Sequence, residues 1–152
     1  MRGASRSGVE REGFVPVTTT SIVNSIYATM LRALLEGRDY RDVLVPFMPF
    51  ILSELDALIQ DYPTVLREMR SFAEVYWAVL FKDVPMPSFG SVSSGTEMFT
   101  MIKETLRRYR DRVIRTTSMV SESEIESEIE YQAARFMDVV ARKAFRLLGV
   151  LT

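Results

Sequence analysis

The chain has 152 residues, with 19 basic against 20 acidic side chains, a formal net charge of −1, 47% hydrophobic residues and neither Cys nor His. A chain of about this length can bury a core as one domain without covalent staples, so disorder is excluded as its overall state. The missing Cys and His exclude disulfides, thiolate or imidazole metal sites, a Cys nucleophile and a His general base.

Arg outnumbers Lys 16 to 3, and Asn24, Gln60 and Gln132 are the only side-chain amides. Loss of thermolabile residues accompanies life at high temperature, although nine Met residues point the other way and GC-rich coding also favours Arg. The longest apolar stretch, Val43 to Leu52, contains Pro46 and Pro49 and falls well short of the ~20 apolar residues a membrane span needs. No span is expected. Arg2 and Arg6 are followed by Ser, Gly and charge rather than an apolar run, so no secretory signal is expected and the chain reads as soluble.

In chain order, Met1 to Gly13 hold Gly, Ser, Arg and Glu with almost nothing to bury, the composition of an arm. Phe14, Val15 and Val17 around Pro16 read as a short extended anchor, and the arm is expected to span residues 1–20. The helical bundle then fills residues 21–152. Ile22, Val23, Ile26, Tyr27, Met30, Leu31, Leu34 and Leu35 repeat at helical spacing before Gly37, predicting a first helix over Ser21 to Glu36. Asp39 can cap a second, roughly Tyr40 to Gln60, which Pro46 and Pro49 should kink or split.

Pro63 opens a third helix, where Val65, Leu66, Met69, Phe72, Ala73, Tyr76, Trp77 and Leu80 form a wide apolar stripe ending near Lys82. Residues 83–95, with two Pro, two Gly and four Ser, read as the one long internal loop. Thr96 opens a fourth helix carrying a thin seam of Phe99, Ile102, Leu106, Tyr109, Val113 and Ile114. Ser121 with Glu124 makes a capping box, and Val120 can staple onto Ile125. A fifth helix of about 28 residues, about 42 Å long, should follow to the end. The predicted fold is therefore all-α, a bundle of four to five helices behind an extended N-terminal arm.

The strongest charge feature is Lys103, Arg107, Arg108, Arg110, Arg112 and Arg115, set against Glu104 and Asp111 within 13 residues. At 100° per residue these side chains form a guanidinium-rich stripe beside the apolar seam, and the planar fork of Arg suits phosphate. A solvated face with Glu104–Arg108 and Arg107–Asp111 pairs, each worth about 0.2 to 0.5 kcal/mol, accounts for part of it. Arg2, Arg6 and Arg11 add cations to the arm. The opposite pole is Glu122, Glu124, Glu126, Glu128 and Glu130, five carboxylates in nine residues. It reads as a dipole-matched helix start, or as a contact for a basic patch on a neighbouring subunit. Tyr76, Trp77, Phe81, Met86, Phe89, Met98, Phe99 and Met101 supply either core or, in part, a face for subunit packing.

A short chain with an arm ending near Thr20 and a compact, apolar helical bundle resembles the major coat proteins of filamentous viruses of hyperthermophilic archaea. The resemblance covers the whole chain but rests on architecture and composition, with no diagnostic motif. It implies a helical virion whose subunits, copies of one chain or of two related ones, wrap double-stranded DNA. Arg2, Arg6 and Arg11, with Arg38 and Arg41, would then face the nucleic acid. A sequence pI of about 5.6 is the departure from that pattern. The expected function is thus a self-assembling coat protein packaging nucleic acid through Arg–phosphate contacts in a virion, with no cofactor and no catalysis. The alternative is a cytoplasmic helical-bundle adaptor for another protein.

Overall fold

The computed structural model describes residues 15, 17–114 and 121–151. Every regular element among them is helical: α1 (Val17–Leu35), α2 (Tyr40–Asp61), α3 (Pro63–Leu80), a short 3-10 turn (Phe89–Ser91), α4 (Gly95–Arg108), the single turn α5 (Arg110–Val113) and α6 (Glu122–Leu147). The all-α class read from the sequence is therefore correct, while the described residues hold six helices rather than four to five and several helix ends fall elsewhere, the last helix stopping at Leu147 rather than running to the end. Arm residues 1–14 and the proposed staple residue Val120 lie outside the described residues.

α1 begins at Val17, so the last four residues assigned to the arm are helical. The Asn24 amide donates to the carbonyls of Thr20 and Val150, both at 2.8 Å, tying α1 to the end of the chain. At its other end α1 stops in a Schellman motif. Gly37 takes φ 90°, its N–H donates to Leu34, and the Arg38 N–H donates to Ala33. Asp39 then caps α2 by accepting from the Arg41 N–H at 2.8 Å.

α2 does not split. It runs unbroken through Pro46 and Pro49, because both prolines sit on the exposed face while Val43, Leu44, Met48, Ile51, Leu52 and Leu55 are buried on the other. Burial of the inner face outweighs the backbone bonds that the two prolines deny.

The residue 83–94 connection belongs to the core. Val84, Phe89 and Val92 are buried, and α3 pins the segment at two carbonyls: Trp77 Nε1 donates to Val84 at 3.0 Å and Arg70 Nε to Val92 at 2.9 Å. Phe89 and Trp77 both meet Phe136 of α6, Phe89 stacking on it with an interplanar angle of 10°. The aromatic and Met cluster is thus largely interior, and only Met86 of its members is openly exposed.

α4 starts one residue before its predicted Thr96, capped by Ser94, whose side chain accepts from the Glu97 N–H at 3.0 Å. The Ser-x-x-Glu spacing at 94–97 was a readable signal for this start. α4 then ends at Arg108 rather than running to Ile114, breaking at Tyr109. α6 carries the predicted capping box, with Ser121 and Glu124 each holding the other's backbone N–H. Its 26 residues make a rod of about 39 Å that packs against α2, α3 and α4. Ile129, Ala133, Phe136, Met137, Val140, Ala141, Ala144 and Phe145 bury its inner face.

Candidate nucleic-acid interface

α4 and α6 lie side by side, and the basic stripe of one meets the acidic pole of the other. Lys103 Nζ is 4.0 Å from Glu130, Arg107 Nε 2.9 Å from Glu126, and Arg110 Nη1 3.0 Å from Glu122. As the numbers rise on α4 and α5 they fall on α6, so the two helices run antiparallel and form a three-rung charge ladder. The rungs fit because a four-residue step returns each helix to the same face. The break at Tyr109 shortens the last step, from Arg107 to Arg110, to three residues. On the far side of α6, Arg41 Nη1 bonds Glu128 at 2.6 Å with its guanidinium over the Tyr131 ring. The bond to Glu128 pushes the Arg41 pKa up from its ordinary value.

These pairs replace the ones expected within a single helix. Among the described residues neither Glu104–Arg108 nor Arg107–Asp111 forms, and Arg107 takes the inter-helix partner instead. Of the proposed phosphate contacts, Lys103, Arg107, Arg110 and Arg41 are therefore matched to carboxylates of their own chain. Arg112 donates to the Asp83 carbonyl at 3.1 Å and stacks on Tyr109. Arg38 and Arg108 are exposed without a carboxylate partner among the described residues. Arg2, Arg6, Arg11 and Arg115 lie outside the described residues. The structure does not bring the described cations together into one open patch.

A second polar centre escaped the sequence reading. Asp138 of α6 is only 2% exposed and accepts from Tyr27 Oη at 2.9 Å, Tyr40 Oη at 3.0 Å and Arg142 Nε at 3.0 Å. It joins α1, the start of α2 and α6 through one carboxylate. Burial first, and the Asp138 charge second, push the pKa of Tyr27 and of Tyr40 far above the ordinary tyrosine value. Arg142 also lies 4.3 Å over the Tyr27 ring. The signal was an acid inside the apolar stripe of α6 with an Arg four residues on, a pattern that reads equally as a surface i,i+4 pair. With both tyrosine protons and the guanidinium directed at it, this carboxylate holds three elements together. Among the described residues no three acidic side chains converge to hold a metal ion, and no helix is long and apolar enough to cross a membrane.

Compared with known protein families, curated proteins and solved structures, the chain matches none of them.

Proposed function

We propose that this chain is a self-assembling structural subunit whose partners are copies of itself or a closely related chain. The observation that carries this reading is the grouping of exposed apolar side chains outside a core that is already closed. On one side, exposed Ile22 and Phe50 join half-buried Ile26 and Phe47 in a groove between α1 and α2. On α3, Val75 and Val79 are 65% and 69% exposed one helical turn apart. Scattered single apolar residues need no explanation, whereas grouped ones on separate faces suit repeated subunit contacts. Separate, non-identical faces favour head-to-tail association, which continues as a filament when the rotation does not close.

Packaging of duplex DNA in a helical virion is the fuller form of this reading. It would depend on Arg38, Arg108 and Arg112 with the arm residues Arg2, Arg6 and Arg11, because the ladder leaves Lys103, Arg107 and Arg110 facing an equal number of carboxylates. The self-neutralised ladder favours, as a second reading, an adaptor that binds a different protein and no polyanion.

Sedimentation over a concentration series, followed by microscopy with and without duplex DNA, tests these readings. Filaments or concentration-dependent oligomers support self-assembly, and a monomer at every concentration overturns it. DNA binding that weakens steeply between about 50 and 200 mM salt supports packaging. No binding at low salt overturns packaging, and a chain that is also monomeric leaves the adaptor.

A further inference from the structure

A cleft of about 630 Å³ opens between α2 and α4 beside the ladder. Its floor is apolar, built from Met48, Leu52 and Phe99, all buried among their neighbours yet facing the opening. Its ionisable lining groups are both acids, Asp56 and Glu130. Asp56 caps α4, accepting from the Gly95 N–H at 2.6 Å. Glu130 holds the loosest rung of the ladder, 4.0 Å from Lys103, which lies over the Phe99 ring. An apolar floor with an acidic rim fits an extended segment that carries arginines between small and apolar residues.

The chain supplies such a segment. Residues 1–14 hold Arg2, Arg6 and Arg11 against Glu10 and Glu12, with Val9 and Phe14 as apolar side chains and Gly and Ser between. Residues 1–9 are basic without any acid. We infer that this arm docks into the α2–α4 cleft of a second copy, its arginines meeting Asp56 and Glu130 and its apolar side chains the Met48–Leu52–Phe99 floor. The inference rests on the self-assembly proposed above and names the contact that drives it.

The placement of the two ends makes the contact intermolecular. α1 runs antiparallel to α6, since Asn24 reaches Val150 while Tyr27 reaches Asp138. The start of α1 therefore lies toward the C-terminal end of α6. Glu130 lies near the other end, 17 residues before Leu147, which is about 26 Å along the rod. At full extension fourteen residues reach about 48 Å, so an arm folding back on its own bundle would spend about eight residues, Ser7 to Phe14, crossing that distance and would leave Arg11 short of the cleft. Only the tip would enter the cleft. An arm at one end and its acceptor near the other is instead the geometry of head-to-tail addition.

Two charge-reversed full-length variants test this. One carries Arg2→Glu, Arg6→Glu and Arg11→Glu in the arm. The other carries Ala57→Lys and Gln60→Lys, both exposed positions lining the cleft. Circular dichroism confirms that each keeps its helix content, and sedimentation reads assembly. Each variant alone should assemble at least about tenfold more weakly than the unchanged chain, a shift of about 1.4 kcal/mol. An equimolar mixture should recover assembly, because the acidic arm of one then meets the basic cleft of the other. If the variants assemble like the unchanged chain, or if the mixture recovers nothing, the arm–cleft contact is overturned while self-assembly through the apolar faces stands. If the unchanged chain is itself monomeric at every concentration, self-assembly falls and the contact with it.

Discussion

Arg107 Nε sits 2.9 Å from Glu126 Oε1, across a helix pair and 19 residues apart in sequence. Both side chains are nearly half exposed, so the bond itself stabilises the fold by no more than about 1 kcal/mol. Its larger consequence is electrostatic. It converts the middle of a cationic stripe into a neutral seam, and the rungs on either side extend the effect.

Removing the acids should undo that neutrality. Glu122→Gln, Glu126→Gln and Glu130→Gln together change the formal charge from −1 to about +2 and leave three cations on one face without partners. Filter binding or electrophoretic mobility with duplex DNA should then show tighter association than the unchanged chain at low salt. The log–log salt slope should steepen by about 2 to 3. Thermal unfolding should shift little, since each rung is worth about 0 to 1 kcal/mol. Equal DNA affinity before and after the change would mean that the ladder does not mask these cations.

Asp138 should behave in the opposite way, with little effect on charge and a large one on stability. Asp138→Ala strands two tyrosine hydroxyls and a guanidinium beside an apolar core, and breaking one partner out of a buried charged network costs about 3 to 5 kcal/mol. Tyr27→Phe removes one donor and should cost about 1 to 2 kcal/mol. Urea denaturation measures both.

The pH dependence of the same cluster has a fixed sign. Tyr27 has its pKa raised in the folded protein, so the stability it contributes is fully present below the unfolded tyrosine value of 10.0 and declines as pH rises beyond that. The decline approaches about 1.4 kcal/mol per pH unit for Tyr27, and half-buried Tyr40 adds to it in the same direction. Tyr27→Phe should flatten the alkaline limb of a stability profile. An unchanged limb in that variant would place the alkaline sensitivity elsewhere.

Local signals in this chain were legible wherever the cause was local. Gly37 after an apolar period, Asp39 before one, Pro63 at a first turn and the Ser121–Glu124 box each marked a helix end, because the donors and acceptors involved lie within a few residues. The start of α1 was not legible, since a proline between Val15 and Val17 reads as part of an extended segment as readily as it reads as the head of a helix. The ladder was half legible. Both poles stand out in the sequence, but periodicity within one helix cannot say which face its neighbour presents, so it points to i,i+4 partners rather than to the inter-helix ones. Asp138 was hidden for a related reason, as its two tyrosines look like ordinary members of apolar stripes until three elements meet.

Gly95 offers a test of how tightly α4 is seated on α2. A Cβ built there would lie 2.6 Å from Leu55 Cδ2 and 3.0 Å from Asp56 Oδ1. Leu55 is fully buried and has no open side to move into, while Asp56 is held by its bonds to the α4 N-terminus. Gly95→Ala should therefore destabilise by about 1 to 3 kcal/mol through overpacking, although Ala is the better helix former. A gain in melting temperature would show that α4 can shift outward without loss.

Pro46 and Pro49 lead to a prediction of the reverse sign. Neither ring is needed to fill the core, because both positions face solvent, yet each denies α2 one backbone hydrogen bond. Pro46→Ala restores a donor to the Asp42 carbonyl and Pro49→Ala one to the Val45 carbonyl, in a helix already continuous through both positions. Against this, each ring limits the unfolded chain, an effect worth about 0.4 to 1 kcal/mol, while an interior proline in a helix costs about 3 kcal/mol relative to Ala. The helix term is the larger, so each substitution should raise stability, by about 1 to 2 kcal/mol once relaxation of the existing helix is allowed for. Pro49 also borders the α2–α4 cleft. A variant at that position that gains stability but loses assembly would show that the ring is kept for the contact it makes with another chain.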